Sequence, residues 1–355
     1  MRKILFCLTA LLTVFCLAAC TFGGSPADDG KIRIVTTIFP EYDWVKSVLG
    51  DNPGDAEVVL LLDNGVDLHS YQPTAEDILK ISTCDLFIYV GGESDGWVKN
   101  ALSQAVNKDM IVINLMEVLG DKAKVEELVE GMEHDHDHDH EDGDDHDHED
   151  GDDHDHEDGD DHDHEDGDHD HDHDEEPEYD EHVWLSLRYA SILTQAISEA
   201  IVKIDGDHAD VYKKNTADYI AKLTELDSRF KDMVAQAPRK TLLFGDRFPF
   251  RYLTDDYDLK YFAAFSGCSA ETEASFETIA FLAGKVDEQG LSAVMTIDGA
   301  DKKIAETVVA NTKTKDQKIL SLDSLQSTTS KDAANGKTYL SAMENNLKVL
   351  TEALK

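Results

Sequence analysis

Basic residues are scarce in this chain of 355: 32 lysines and arginines stand against 75 aspartates and glutamates, for a net charge of −43. That deficit excludes partners recognised by neutralising phosphate, so nucleic acid and anionic membrane surfaces are set aside. Cysteine is sparse as well. Of the five, Cys7, Cys16 and Cys20 fall in the first twenty residues, which leaves Cys84 and Cys268 far apart in the body of the chain. Two cysteines can make one disulfide but not a disulfide framework. No HExxH segment is present, which removes the most compact signature of a hydrolytic zinc site. Long apolar runs are missing too. The longest, residues 4–19, is shorter than the roughly 20 residues that cross a bilayer.

What the chain does have is histidine alternating with acid. Residues 133–178 hold 28 of the 75 acidic residues and no basic one, and an eight-residue unit, DHDHEDGD, runs three times between Asp145 and Asp168. Thirteen of the sixteen histidines lie here: His134, His136, His138, His140, His146, His148, His154, His156, His162, His164, His169, His171 and His173. A segment this poor in apolar side chains cannot offset the entropy of ordering it, so disorder is expected. Dense imidazole and carboxylate suit borderline divalent cations such as Zn²⁺, so the tract reads as an auxiliary metal-binding loop.

The first twenty residues read as a targeting segment. Arg2 and Lys3 precede the apolar run, which ends in Leu17-Ala18-Ala19-Cys20 and resembles a bacterial lipobox. Cleavage before Cys20 would leave its thiol for lipid attachment, an anchor on the outer face of the bacterial cell membrane without a span. Residues 21–30 then form a short polar tether.

Short β-branched runs at 32–35, 58–62, 86–90 and 110–114 form one group of four strands, and 241–244, 261–265, 293–297 and 318–322 a second. Helical spacing fills the gaps between them, with Thr74 and Asp77 placed as a capping pair ahead of Ile78. This is the pattern of an α/β protein with two Rossmann-like parallel-sheet lobes. Between the groups, Leu193 to Ile204 and Tyr219 to Met233 keep helical periodicity, and the second helix, at about 27 residues, would reach roughly 40 Å. The division is therefore a first lobe over 31–186 that includes the 133–178 loop, linking helices over 187–238, and a second lobe over 239–355.

Ligands of open α/β sheets bind beyond the carboxyl ends of strands. Metal-capable residues predicted there are His69 after the second run, His182 after the acidic tract, Asp246 after 241–244 and Asp323 after 318–322. His208, in a Gly-Asp-His stretch, reads as a solvated helix start.

These segments resemble the zinc- and manganese-binding solute-binding lipoproteins that serve metal ABC importers and whose lobes are joined by a rigid helix. GVDLHSYQPTAED around His69 is similar to that family's G-x-x-x-H-x-Y-x-P-[ST] segment, and EHVWLSL around His182 to its D-x-H-x-W-x-[DS] segment. DLFIYVGGESDGW matches its strand, glycine turn and tryptophan, and ILSLDSL its last strand, which ends in a metal-binding aspartate. The resemblance implies a metal site in the interlobe cleft with His69, His182 and Asp323 as ligands. The family's third ligand falls at Gly245, which has no side chain to offer. Asp246 is the nearest substitute and is preferred. Cys268, Glu271 and Glu273 in GCSAETEAS follow the next strand, with Cys268 and Glu273 as alternatives or supporting residues; a thiolate at Cys268 would suit Zn²⁺.

The resemblance further implies a monomeric, lipid-anchored protein that captures Zn²⁺, with Mn²⁺ as the alternative, and delivers it to a permease and its ATPase. Two other classes compete: a surface metal buffer or adhesin, and a zinc-dependent hydrolase. The transport reading implies no catalysis.

Overall fold

The computed structural model describes residues 30–51, 56–132, 178–269 and 273–355. The targeting segment, Cys20, nearly all of the tether, the thirteen tract histidines and Glu271 lie outside the described residues.

Among the described residues, eight strands form two separate sheets. The first is built from β1 (Ile32–Thr36), β2 (Ala56–Leu60), β3 (Leu86–Tyr89) and β4 (Ile111–Asn114), in the order β2-β1-β3-β4. The second repeats that order, β6-β5-β7-β8, with β5 (Thr241–Phe248), β6 (Lys260–Ser266), β7 (Ala293–Ile297) and β8 (Lys318–Leu322). Every pairing between these strands is parallel. The two-lobed α/β architecture expected from the sequence is therefore present. In each sheet the strand order reverses beside the first strand, the topological switch point at which open sheets leave a crevice.

Connecting helices follow from local chemistry. Thr74 Oγ1 accepts the Asp77 N–H at 3.2 Å and Asp77 accepts the Thr74 N–H at 2.9 Å, so a capping box starts the helix Ala75–Thr83. The helix Leu187–Ile204 leads into Ala209–Gln236, whose 28 residues reach about 42 Å. Its buried residues Tyr212, Thr216, Tyr219, Leu223, Leu226, Phe230 and Val234 recur every three or four positions. That stripe packs against the helix Phe39–Leu49 of the first lobe and the helix Tyr339–Ala353 of the second. Asn215 Nδ2 donates to the Val48 carbonyl at 3.0 Å and caps the end of the first of these.

One apolar core, from Ile34 to Leu354, runs continuously through both lobes, and a second fills the space between β5–β7 and the helices Phe276–Gln289 and Lys303–Asn311. Polar bonds add to the joint: Trp184 Nε1 donates to the Ser324 carbonyl at 2.8 Å, and Tyr339 donates its hydroxyl to the Trp184 carbonyl at 2.6 Å. The lobes are thus a single packed unit about a shared spine.

Candidate metal centre

Two copies of one local device hold the histidines. Asp67 caps the short 3-10 turn Leu68–Ser70 after β2, and its Oδ1 accepts the His69 N–H at 3.0 Å. Asp180 likewise accepts the His182 N–H at 2.8 Å, just ahead of the turn Val183–Leu185. An Asp-x-His turn of this kind fixes the backbone locally, because the aspartate satisfies the histidine's own amide. The ring Nδ1 atoms are then taken up: His69 Nδ1 by Ser94 Oγ at 2.7 Å, and His182 Nδ1 by Asp180 Oδ1 at 3.0 Å. Both rings therefore present Nε2. The two Nε2 atoms face each other at 3.3 Å.

That distance has chemical meaning. Two Zn–N bonds of about 2.05 Å at a tetrahedral angle place their nitrogens roughly 3.3 Å apart. His182 is fully buried and packs against Trp184, with ring centroids 5.2 Å apart. Its other flank lies on Gly267, where a Cβ would sit 3.2 Å from Cε1 of the ring and 2.9 Å from the Phe248 carbonyl. Cys268 follows immediately, and its sulfur and one nitrogen of each imidazole all lie within 4.8 Å of one another.

The surroundings are anionic with a single nearby cation. Glu181 Oε1 accepts the Ser94 N–H at 2.9 Å, while Oε2 is buried, 3.7 Å from His69 Nδ1, and has no hydrogen-bond partner among the described residues. Arg247 Nη2 reaches across the cleft to Asp67 Oδ2 at 3.0 Å. Burial, with the neighbouring His182 and Arg247 charges, pulls the His69 imidazole down to about 4. Burial also opposes charge on His182, but Asp180, by charge and hydrogen bond, carries its pKa above the usual imidazole range. Two imidazolium charges at this separation repel, so beyond the one N–H proton that each neutral ring carries the pair holds at most one more. A metal would take that proton's place. Burial pushes the Cys268 thiol up, with Glu126, Asp180 and Glu181 adding to the effect.

The other expected ligands lie elsewhere. Gly245 packs its backbone against the helix Lys303–Asn311, and a Cβ there would sit 2.6 Å from Ala305 Cα and 2.8 Å from its N. The position faces a helix, so the gap in the ligand pattern is a packing requirement. Asp246, the preferred substitute, spends one oxygen on the Arg247 N–H at 2.9 Å and the other on the Ile297 N–H at 3.0 Å. It stitches the register shift between Phe244 and Arg247 to β7. Asp323 accepts the Leu325 N–H at 2.9 Å and pairs with Lys337 Nζ at 2.7 Å. Glu273 is exposed. None of these three joins the histidines in a metal-capable group among the described residues. Cys84 and Cys268 are both free thiols, so the possible disulfide is not formed. His208 pairs with Asp205 at 2.7 Å on the surface, as a helix-start residue.

Sequence reasoning passed over Asp67, Ser94, Asp180, Glu181 and Arg247. The repeated Asp-x-His spacing was the available signal for two of them.

A family model described as zinc-uptake complex component A, periplasmic (ZnuA) matches residues 34–353. The chain belongs to this family. The zinc-binding lipoprotein AdcA of Streptococcus pneumoniae (strain ATCC BAA-255 / R6) is 31% identical over 352 residues, which is 99% of this chain and 61% of the relative. The chain thus spans about three fifths of the length of that relative. The high-affinity zinc uptake system protein ZnuA of Bacillus subtilis (strain 168) is 28% identical over 344 residues, 97% of this chain and 94% of the relative. Among solved structures, the Zn(II)-bound ZnuA-like domain of Streptococcus pneumoniae AdcA has a TM-score of 0.64 at 28% identity, covering 92% of this chain and 99% of that one. The laminin-binding adhesin Lmb of Streptococcus agalactiae, at 22% identity and a TM-score of 0.66 over 91% of this chain and 100% of that one, shares the fold.

Proposed function

We propose that this chain is the extracytoplasmic metal-binding component of an ABC importer, which captures Zn²⁺ in the interlobe cleft and passes it to a membrane permease worked by its ATPase. The observation that carries this reading is the His69–His182 pair, whose Nε2 atoms stand at the separation a tetrahedral zinc requires, with both Nδ1 atoms already committed. The names of the family and of the two zinc-binding relatives support it. Zinc is the preferred cargo because paired imidazoles favour it, whereas Mn²⁺ asks for more oxygen ligands. The importer partners, attachment through a lipid on Cys20 and a monomeric state belong to the same proposal. No helix among the described residues is long and apolar enough to cross a membrane.

Transport also needs release. His69 and His182 sit in the first lobe, while Gly267, Cys268 and Arg247 come from the second, so lobe separation would open one side of the site. The test is zinc titration against a competing chelator, using protein from which residues 133–177 have been deleted. One tight site should remain, and His69→Ala or His182→Ala should abolish it while the thermal melt stays cooperative. A deletion protein without a tight site, or a His182→Ala protein that binds as the parent does, would overturn the assignment.

A further inference from the structure

With Gly245, Asp246 and Asp323 turned elsewhere, two imidazoles alone would leave zinc half-coordinated. The second lobe does bring one strong donor to them. β6 ends at Ser266, and Gly267 then lies so close to His182 that no larger residue fits without displacement, which delivers the next side chain to the histidine pair. The Cys268 backbone is held by its N–H, which donates to Glu126 Oε1 at 3.1 Å. A second observation points to a cation at the same place. Glu181 is buried, and its Oε2, beside His69, lacks a hydrogen-bond partner among the described residues. A carboxylate oxygen left so is costly unless a cation or a proton arrives, and burial raises the Glu181 carboxyl above its usual range for that reason.

We propose that Cys268 is the second lobe's metal ligand, so that His69, His182 and the Cys268 thiolate form a His₂Cys centre whose fourth position is open to water. This rests on the transport reading above and sharpens it: the site is selective for thiophilic, borderline cations and discriminates against Mn²⁺. A Zn–N bond of about 2.05 Å and a Zn–S bond of about 2.3 Å put nitrogen and sulfur roughly 3.6 Å apart at the tetrahedral angle. The observed group lies within 4.8 Å, so zinc binding asks sulfur and nitrogen to close by no more than about 1.2 Å. On binding, the thiol S–H bond breaks, its electron pair forms the S–Zn bond, and the proton leaves to solvent. Softness then sets the preference: thiolate with imidazole selects zinc, and manganese loses the hard oxygen donors it prefers. Separation of the lobes would draw the sulfur from the imidazoles and leave zinc on a weaker two-nitrogen site.

The experiment uses the full-length chain with Cys7, Cys16 and Cys20 replaced by serine, so that only Cys84 and Cys268 remain as thiols. Cys84 is an internal control, since it is buried in the first lobe against Met110 and the Ile81 carbonyl. Co²⁺ is titrated as the probe. A thiolate ligand gives a near-ultraviolet sulfur-to-cobalt charge-transfer band that the tract's imidazoles and carboxylates cannot produce. The band should saturate at one equivalent on the tight site, disappear on Zn²⁺ addition and be absent from Cys268→Ser. Zinc affinity should fall at least about 100-fold in Cys268→Ser, with Mn²⁺ binding little changed. Tight cobalt and zinc binding without the band would overturn the thiolate assignment while leaving the two-histidine reading intact. Absence of tight zinc binding in the parent would instead overturn the transport reading and this inference with it. If Cys268→Ser fails to fold, the parent spectrum and the protection of Cys268 from alkylation by zinc decide the question alone.

Discussion

Replacing Asp180 by asparagine isolates the charge that tunes the centre. The backbone at this residue is held independently, by the Tyr252 hydroxyl on its carbonyl at 2.8 Å and by its own N–H on the Lys124 carbonyl at 2.9 Å. Asn keeps the shape and an acceptor oxygen for the His182 N–H, so the fold should survive. What disappears is a buried negative charge against Nδ1, about 7 Å across the ring from whatever sits on Nε2. At an effective dielectric of about 20, that charge is worth about 4.7 kcal/mol to a dication there and about 2.4 kcal/mol to the single proton the metal displaces. The difference, about 2.3 kcal/mol, corresponds to roughly a 50-fold loss of zinc affinity, inside the range measured for partners of metal-bound histidines. Chelator competition at pH 7.5 measures it, with urea unfolding to confirm a native mutant. Asp180→Ala is the poorer probe, because it strands two buried donors at about 1–3 kcal/mol each. A folded Asp180→Asn protein that binds zinc within twofold of the parent would refute the reasoning, since the imidazole would then be tuned by something else.

Gly245→Ala should destabilise the fold by about 1–3 kcal/mol, because its Cβ would meet Ala305 at 2.6 Å, while the zinc affinity of the folded fraction stays unchanged. Tighter zinc binding by Gly245→His would instead show that the position does reach the metal. Arg247→Met removes the cation beside the histidines and frees Asp67, so zinc affinity should rise about three- to tenfold in low-salt titrations; a fall would mean that the pair matters more for closing the lobes. Glu41 is buried, and desolvation together with Asp95 raises its carboxyl from 4.5 to about 8. Between those values the native state keeps a proton that the unfolded chain has lost. Stability should therefore fall as pH rises through that window, by on the order of 4 kcal/mol, and level off above it. Glu41→Gln should flatten the slope of urea midpoints between pH 5 and 8; an unchanged slope would assign the effect to other groups.

What could be read from residues alone follows from which forces are local. Parallel strands buried on both faces need near-continuous apolar runs, so Ile32–Thr36, Leu86–Tyr89 and Ala293–Ile297 announced themselves to within a residue or two. The spine was equally open, because the stripe read from Tyr219 to Met233 must be covered on one side; the structure extends it back to Tyr212 and ends it on Val234 rather than Met233. The histidines could be placed on loops past the strand-like runs, whereas the aspartate that fixes each turn from two residues back emerges only in the structure.

The proposed second-lobe ligand is a different matter. His182 meets His69 from 113 residues away, and Cys268 arrives from a third segment, so their convergence depends on where two sheets end in space. β5 shows why this resists pattern reading. The strand runs on to Phe248 through a register shift at Gly245 and Asp246, where the apolar pattern suggested an end at Phe244. That shift commits Gly245 to the helix at Ala305 and Asp246 to the Ile297 amide. A linear match at 245 or 246 marks the correct strand but cannot say which way its side chains point. At the end of β6, by contrast, the missing side chain of Gly267 is the informative residue: it admits the His182 ring, and the sulfur beside it is placed by that close approach. One glycine, Gly245, is committed to helix packing at Ala305, while another, Gly267, makes the approach that brings the Cys268 sulfur near the histidine pair.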